Sequence, residues 1–322
     1  MTTTSPRPND VSVTLPVSQA FDRVKRVLFQ PFDLGKWCII GFCAWLALLG
    51  QGGGGGFNFH FPSGRGGSGS LRQGLEEATQ FVMSNLGWII PLVVAGVLVG
   101  LILWVAFTWL SSRGQFMFLH CVALDRAEVR EPWARFAQPA NSLCWFRLVV
   151  GLLGTLVTLP LVVLMVVLIL GMVKRGEPSA GGILGTVGLG LVLIVAALVL
   201  GIIQKLLLDF VVPIMFLRGA RCVAAWREFL PLLRANLGRF VLYLLFQIVL
   251  GLAIGAALVA LVFITCCCAG CLMAIPYLGT VLLLPVLVFS RAYALHYLAQ
   301  YGPAYDVFPP IPYRSASAPP AA

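Results

Sequence analysis

Apolar residues in this chain gather into runs with no charge at all, separated by short mixed segments. Trp88 to Ser112, Leu148 to Val173 and Pro178 to Gln204 are each uncharged, and Phe240 to Ser290 is uncharged for 51 residues. About 20 apolar residues in a helix cover a hydrocarbon core of roughly 30 Å. A single helix of the last run would be about 76 Å long at 1.5 Å per residue, so the run must turn back, near Ala269-Gly270. The shortest run, Trp37 to Gly50, reaches only about 21 Å and borrows from its flanks or forms a re-entrant loop. The pattern predicts six crossings, near 37–50, 88–112, 148–173, 180–204, 240–264 and 272–290.

Between crossings the period changes. From Ser18, read as a helix cap, Phe21, Val24 and Leu28 form one stripe, with Asp22, Arg23, Lys25 and Arg26 facing away. Pro132 opens a second such segment with Trp133 and Phe136. A third carries Trp226, Phe229 and Leu233 opposite Arg227, Glu228 and Arg234. An apolar stripe with a basic polar face suits a helix at the headgroup boundary or an elbow packed under a bundle. Each elbow enters its crossing through a basic residue beside an aromatic one: Lys36-Trp37, Phe146-Arg147, Arg239-Phe240. With one-residue slips, the chain reads as three units of elbow, outward helix and returning helix, a helix-hairpin repeat of the kind common in membrane folds.

The resulting expectation is an all-α integral membrane protein: a six-helix bundle over residues 18–302 with three cytoplasmic amphipathic elbows. Residues 1–17 and the Pro/Ala-rich tail 303–322 are expected to be disordered. So is the outer loop 51–70, whose glycine density gives a flexible coil. No cleavable signal is expected before the first run.

Composition and charge sharpen this. The chain is 59% hydrophobic and 11% charged with a formal net charge of +10. The basic residues adjoin apolar runs, which points to anionic lipid headgroups and away from nucleic acid. Eighteen of the 22 Lys and Arg fall in alternate segments: the N-terminal region to Lys36, Arg113 to Arg147, Lys205 to Arg239, and the tail. Retention of Lys and Arg on the cytoplasmic side places both termini in the cytoplasm, and size and span number suggest a bacterial inner membrane.

Candidate chemistry is sparse. Lys205 and Asp209 are four apart and can pair on one helix face. With Gln204 they are the candidate substrate-binding residues, the plain alternative being a surface-proximal ion pair. Cys268 and Cys271 have the C-x-x-C spacing that lowers a thiol pKa; with Cys266 and Cys267 they also read as inert small residues in a turn, or as a disulfide. His120 and His296 read as interfacial residues. No catalytic triad, carboxylate pair or His/Glu metal motif stands out, so no cofactor or metal is expected. Gly96/Gly100, Gly181/Gly185 and Gly251/Gly255 have the spacing that lets helices approach closely, within the chain before between chains.

Four phrases carry a family resemblance: Phe32-Asp33-Leu34-Gly35-Lys36-Trp37, Asp209-Phe-Val-Val-Pro213, Ala225-Trp226-Arg-Glu-Phe229 and Tyr305-Asp306-Val-Phe308. Together they resemble an uncharacterised family of bacterial six-span membrane proteins, itself similar to the membrane domain of some glycerophosphodiester phosphodiesterases. The resemblance runs from about residue 15 to 310 and implies the fold. It implies no hydrolase activity, because that chemistry belongs to a soluble metal-dependent barrel for which this chain has no room. The expectation is a non-enzymatic membrane protein, a scaffold or partner-binding subunit in contact with lipids. The alternatives are a small transporter or lipid-handling protein with a passage between repeats, and thiol redox at the cysteines.

Overall fold

The computed structural model describes residues 11–49, 80–175 apart from 82, 180–265, and 270–308 apart from 271 and 274. The glycine-rich loop and Cys266, Cys267, Cys268 and Cys271 lie outside the described residues. Among the described residues all regular structure is helical. Two short helices, α1 (Leu15–Phe29) and α2 (Leu34–Leu48), precede the long α3 (Leu86–Leu124). The six-residue α4 (Arg130–Arg135) leads into α5 (Ala137–Arg175), and α6 (Ala180–Leu206) continues through a π-helical turn, Leu207–Val211, into α7 (Val212–Arg218). Then come α8 (Cys222–Ala235), α9 (Leu237–Ile264), α10 (Pro276–Leu282), α11 (Leu284–Ala299) and a 3-10 turn at Pro303–Tyr305.

Among the described residues, four helices are long and apolar enough to cross a membrane: Leu86–Leu124, Ala137–Val173, Ala180–Arg218 and Leu237–Ile264. The two other crossings predicted from sequence fall on shorter pieces, the 15-residue α2 and the α10–α11 pair, broken at Leu283. At 39 residues, α3 is about 58 Å long, nearly twice a hydrocarbon core. Its two halves differ accordingly. Leu86 to Phe107 is almost wholly exposed, whereas Thr108 and Ser111 to Ala123 are buried apart from Arg113. The other long helices share this division, so one core forms where their ends converge. It includes Phe116, Leu119, Phe210, Met215, Phe229, Phe240, Tyr243, Tyr293 and Tyr297. The far halves turn leucine and valine outward on all sides, as a segment does when its solvent is hydrocarbon.

Close approach at the convergent end depends on glycine at particular places. A Cβ on Gly114 would lie 2.5 Å from the Ala47 nitrogen, so α2 and α3 touch backbone to backbone there. Gly151 faces Trp104 and Gly154 faces Leu200 across the long helices. The glycine pairs singled out by spacing behave otherwise. A Cβ at Gly96, Gly100, Gly181, Gly251 or Gly255 meets nothing within 4 Å, and Gly185 meets only Leu168 at 3.8 Å. These pairs sit in the splayed far halves and do not bring helices of this chain together.

The elbows pack under the bundle. In α8, Phe229 is fully buried, Trp226 and Leu233 are partly so, and Arg227 and Arg234 are exposed, as the stripe predicts. In α1 two details differ. The helix begins at Leu15, before Ser18, and Arg23 is buried while Phe21 is 65% exposed. Arg23 turns inward because α3 ends beside it: Nε donates to Val122 O at 3.0 Å and Nη2 to Ala123 O at 2.6 Å. Terminal carbonyls of a helix have no intrahelical donor, and a cation there complements the helix dipole.

The recurrent phrases have structural jobs. Asp33 caps α2 by accepting from Gly35 N, Lys36 pairs with Asp125 at 2.8 Å, and Trp37 donates to Leu28 O. The chain ends are also ordered further than the sequence suggests. Ser12 and Gln300 exchange two hydrogen bonds, Tyr293 donates to Val13 O, and Val307 is buried in the core. Residues 309–322 lie outside the described part.

Candidate functional site

The charged pair anticipated in α6 forms. Lys205 Nζ lies 2.9 Å from Asp209 Oδ2, with the lysine side chain 40% exposed and the aspartate 9%. Tyr243 on α9 donates to the same oxygen at 2.9 Å, and Gln247, one turn on, donates to the tyrosine hydroxyl at 3.0 Å. Side chains from α6 and α9 thus hold one carboxylate. Gln204 is partly buried and does not line the cavity described next.

The π turn is the local reason for this placement. Val212 N–H bonds back five residues to Leu207 O. The Leu208 carbonyl then falls to residue 213, which is proline and has no N–H. Arg291 on α11 supplies the missing donor, Nη1 to Leu208 O at 2.7 Å. Widened turns of this kind are frequent at functional sites. Here the wide turn draws a cation from another helix into the core.

Lys205, Asp209 and Arg291, with Gln115 and Ser290, line a cavity of about 160 Å³, walled otherwise by Ala44, Ala47, Leu48, Phe118, Leu208 and Leu287. Arg291 is 6% exposed, and its Nε and Nη2, which share one edge of the guanidinium, have no hydrogen-bond partner among the described residues. Nor does any described carboxylate form an ion pair with it. With Lys205 matched to Asp209, the site carries one surplus positive charge. Gln115 is held in place by its bond to Ala47 O at 2.8 Å, which Ser111 also donates to at 2.8 Å; Arg147 then donates to Ser111.

Lys205 and Asp209 were legible from their spacing. Arg291, Tyr243 and Gln115 were not: they come from three other helices, and Arg291 signalled only topology. Of the two histidines read as interfacial, His120 is drawn into the interior and His296 is partly buried. His120 is 1% exposed, and His296 stacks on Phe308 with ring centroids 4.2 Å apart. Sequence spacing showed no His/Glu set, yet His120 comes together with Glu128 and Glu131. Cys43 and Cys121 are buried with sulfurs 4.0 Å apart, a packing role consistent with their scattered positions.

Long apolar helices and a charged cavity at their convergent ends define a helical membrane protein. The model of a family of unknown function, DUF7544, matches residues 12–284, and the chain belongs to that family. No curated protein and no solved structure matches it.

Proposed function

We propose that the protein is a six-crossing membrane protein that binds a small anion of phosphate or carboxylate chemistry in the cavity of Lys205, Asp209 and Arg291. The observation that carries this is Arg291: a nearly buried guanidinium, free along one edge and without a carboxylate partner. A buried cation that shares its only cavity carboxylate, Asp209, with Lys205 is left partly uncompensated, at a cost of several kcal/mol. An anion accepting from Nε and Nη2 offsets that cost through the bidentate geometry in which arginine is strongest. Lipid or solute handling is therefore favoured over a purely scaffolding role, and Lys205, half exposed at the cavity, is placed to meet the anion first.

Six crossings are supported by where the chain begins and ends. Val13 and Val17 pack on the core, as does Leu298, and Ser12 bonds to Gln300. Both ends therefore lie at the convergent end, whereas α3 starts, and α9 ends, at the far end. On this reading one passage before α3 and one after α9 complete six. The order of a short amphipathic helix followed by a pair of further helices recurs three times, which supports the repeat. Each returning helix ends in a buried stretch, at Phe116–Ala123, Leu207–Met215 and Arg291–Leu295. The basic segments collect at this end, which supports a cytoplasmic placement in a bacterial inner membrane.

The test is a thermal-shift series in nanodiscs. Protein in phosphatidylcholine is compared with protein in phosphatidylcholine–phosphatidylglycerol, and separately titrated with inorganic phosphate and succinate. Stabilisation by phosphatidylglycerol alone identifies a headgroup; stabilisation by phosphate or succinate identifies a solute. Either effect should vanish in Arg291→Met and weaken in Lys205→Met. No shift with any probe, or equal shifts in wild type and both variants, overturns the proposal.

A further inference from the structure

The geometry assigns a divalent metal site to His120, Glu128 and Glu131, at the junction of α3 and α4 and separate from the charged cavity. One donor atom from each of the three residues lies within 4.8 Å of the others. His120 is 1% exposed, yet neither Nδ1 nor Nε2 has a hydrogen-bond partner among the described residues. A neutral imidazole carries one N–H and one lone pair, and buried histidines rarely leave both unused. An unpartnered imidazole within 4.8 Å of two carboxylates makes sense when a cation sits among them.

Local structure brings the three together. The helix α3 stops at Asp125, whose φ of 58° is left-handed and reverses the chain. Glu128 and Glu131 therefore return beneath the last turn of α3, where His120 sits. Cys121 Sγ contacts Glu128 O at 3.9 Å and helps hold that return. The rings of Phe136 and Phe216, each 6.4 Å from the His120 ring by centroid, restrict its orientation. Two cations flank the cluster: Arg126, which acts on His120 through space, and Arg135, 3.7 Å from Glu131 with both side chains more than half exposed. That contact is one turn apart on α4 and readily exchanged for a stronger partner.

One imidazole and two carboxylates suit a borderline divalent ion such as Zn²⁺ or Mn²⁺. A tetrahedral zinc with ligands at about 2.0–2.1 Å spaces them at roughly 3.4 Å. Binding thus asks donors no more than 4.8 Å apart to close by up to about 1.4 Å, which the partly exposed Glu128 and exposed Glu131 can do while His120 stays fixed. A neutral imidazole and two carboxylates carry −2 in total, which the ion neutralises, and a fourth position remains for water. Occupancy pins α4 to α3 and makes the packing of this elbow depend on metal.

The experiment uses the full chain without a histidine tag, stripped with chelator and held in detergent micelles or nanodiscs. Zinc is titrated calorimetrically, and Co²⁺ serves as an optical probe. Wild type should bind one Zn²⁺ per chain and give a Co²⁺ ligand-field band without thiolate charge-transfer absorption, which separates this site from the nine cysteines. Glu131→Gln and Glu128→Gln, at positions that tolerate change, should each weaken binding about tenfold or more, and the double variant should abolish it. His120→Ala should do the same if it folds. Absence of stoichiometric binding, a thiolate signature, or undiminished affinity in the double glutamine variant would falsify the assignment.

Discussion

The bond from Arg291 to Leu208 O can be weighed against the proline that makes it necessary. Replacing Arg291 by Met strands the Leu208 carbonyl in the core, at about 1–3 kcal/mol, but also removes a buried charge, whose relief has the opposite sign and similar or larger size. The single variant therefore does not isolate the bond. Pro213→Ala does the complementary thing: it restores an N–H that can serve Leu208 O, or lets the π turn relax so that Val212 N–H serves it. In that background Arg291→Met strands nothing, while the charge contribution is unchanged. A double-mutant cycle should then give a coupling of about 1–2 kcal/mol, read as about 1.5–3 °C in apparent melting temperature for a chain of 322 residues. Thermal unfolding of the four proteins in one detergent supplies the cycle. Additivity within about 0.5 kcal/mol would refute the idea that proline, π turn and arginine form one unit.

Three further outcomes are expected. Gly114→Ala should destabilise by about 1–3 kcal/mol through overpacking, whereas Gly100→Ala and Gly255→Ala should be neutral; matched melting curves decide, and equal effects would remove the distinction between the two halves of the bundle. Burial, with Arg23 nearby adding to it and Asp306 opposing, lowers the His296 pKa to about 4. Its unfolded form binds a proton nearer 6.5, so the histidine's contribution is complete above about pH 6.5 and declines towards pH 4; His296→Phe should flatten that part of the pH–melting profile while keeping the stack on Phe308. Finally, reporters fused at the two termini should both prove cytoplasmic; opposite locations would contradict the Ser12–Gln300 pairing as a guide to topology.

Much of the helical layout was legible because hydrocarbon imposes uncharged runs of fixed minimum length. The stripe of Trp226, Phe229 and Leu233 was legible because α8 has core on one side only. Helix ends were not. Beyond Ser112, α3 continues for 12 residues through Gln115, Phe116 and His120, a mixed stretch whose burial depends on neighbours far away in sequence. The glycine pairs misled for a related reason: lipid and protein interior are both apolar, so a glycine-rich face carries no mark of which one it meets. Gly114, without a partner at the favoured spacing, makes the tightest crossing of α2 and α3. Arg23 and Arg291 were counted as topological charges because nothing local distinguishes an arginine that serves an orphaned carbonyl from one that stays in water.

The clasp between Val11–Thr14 and the last helix has a consequence for biogenesis. Its acceptors at Ser12 and Val13 and its donors at Gln300 and Tyr293 are separated by almost the whole length of the polypeptide. The helix α1 thus cannot settle until the segment carrying Tyr293 and Gln300 has been made, and a nascent chain halted midway keeps an unfinished floor. A truncation before Tyr293 should be cleared by quality-control proteases even though all four long apolar helices precede the cut.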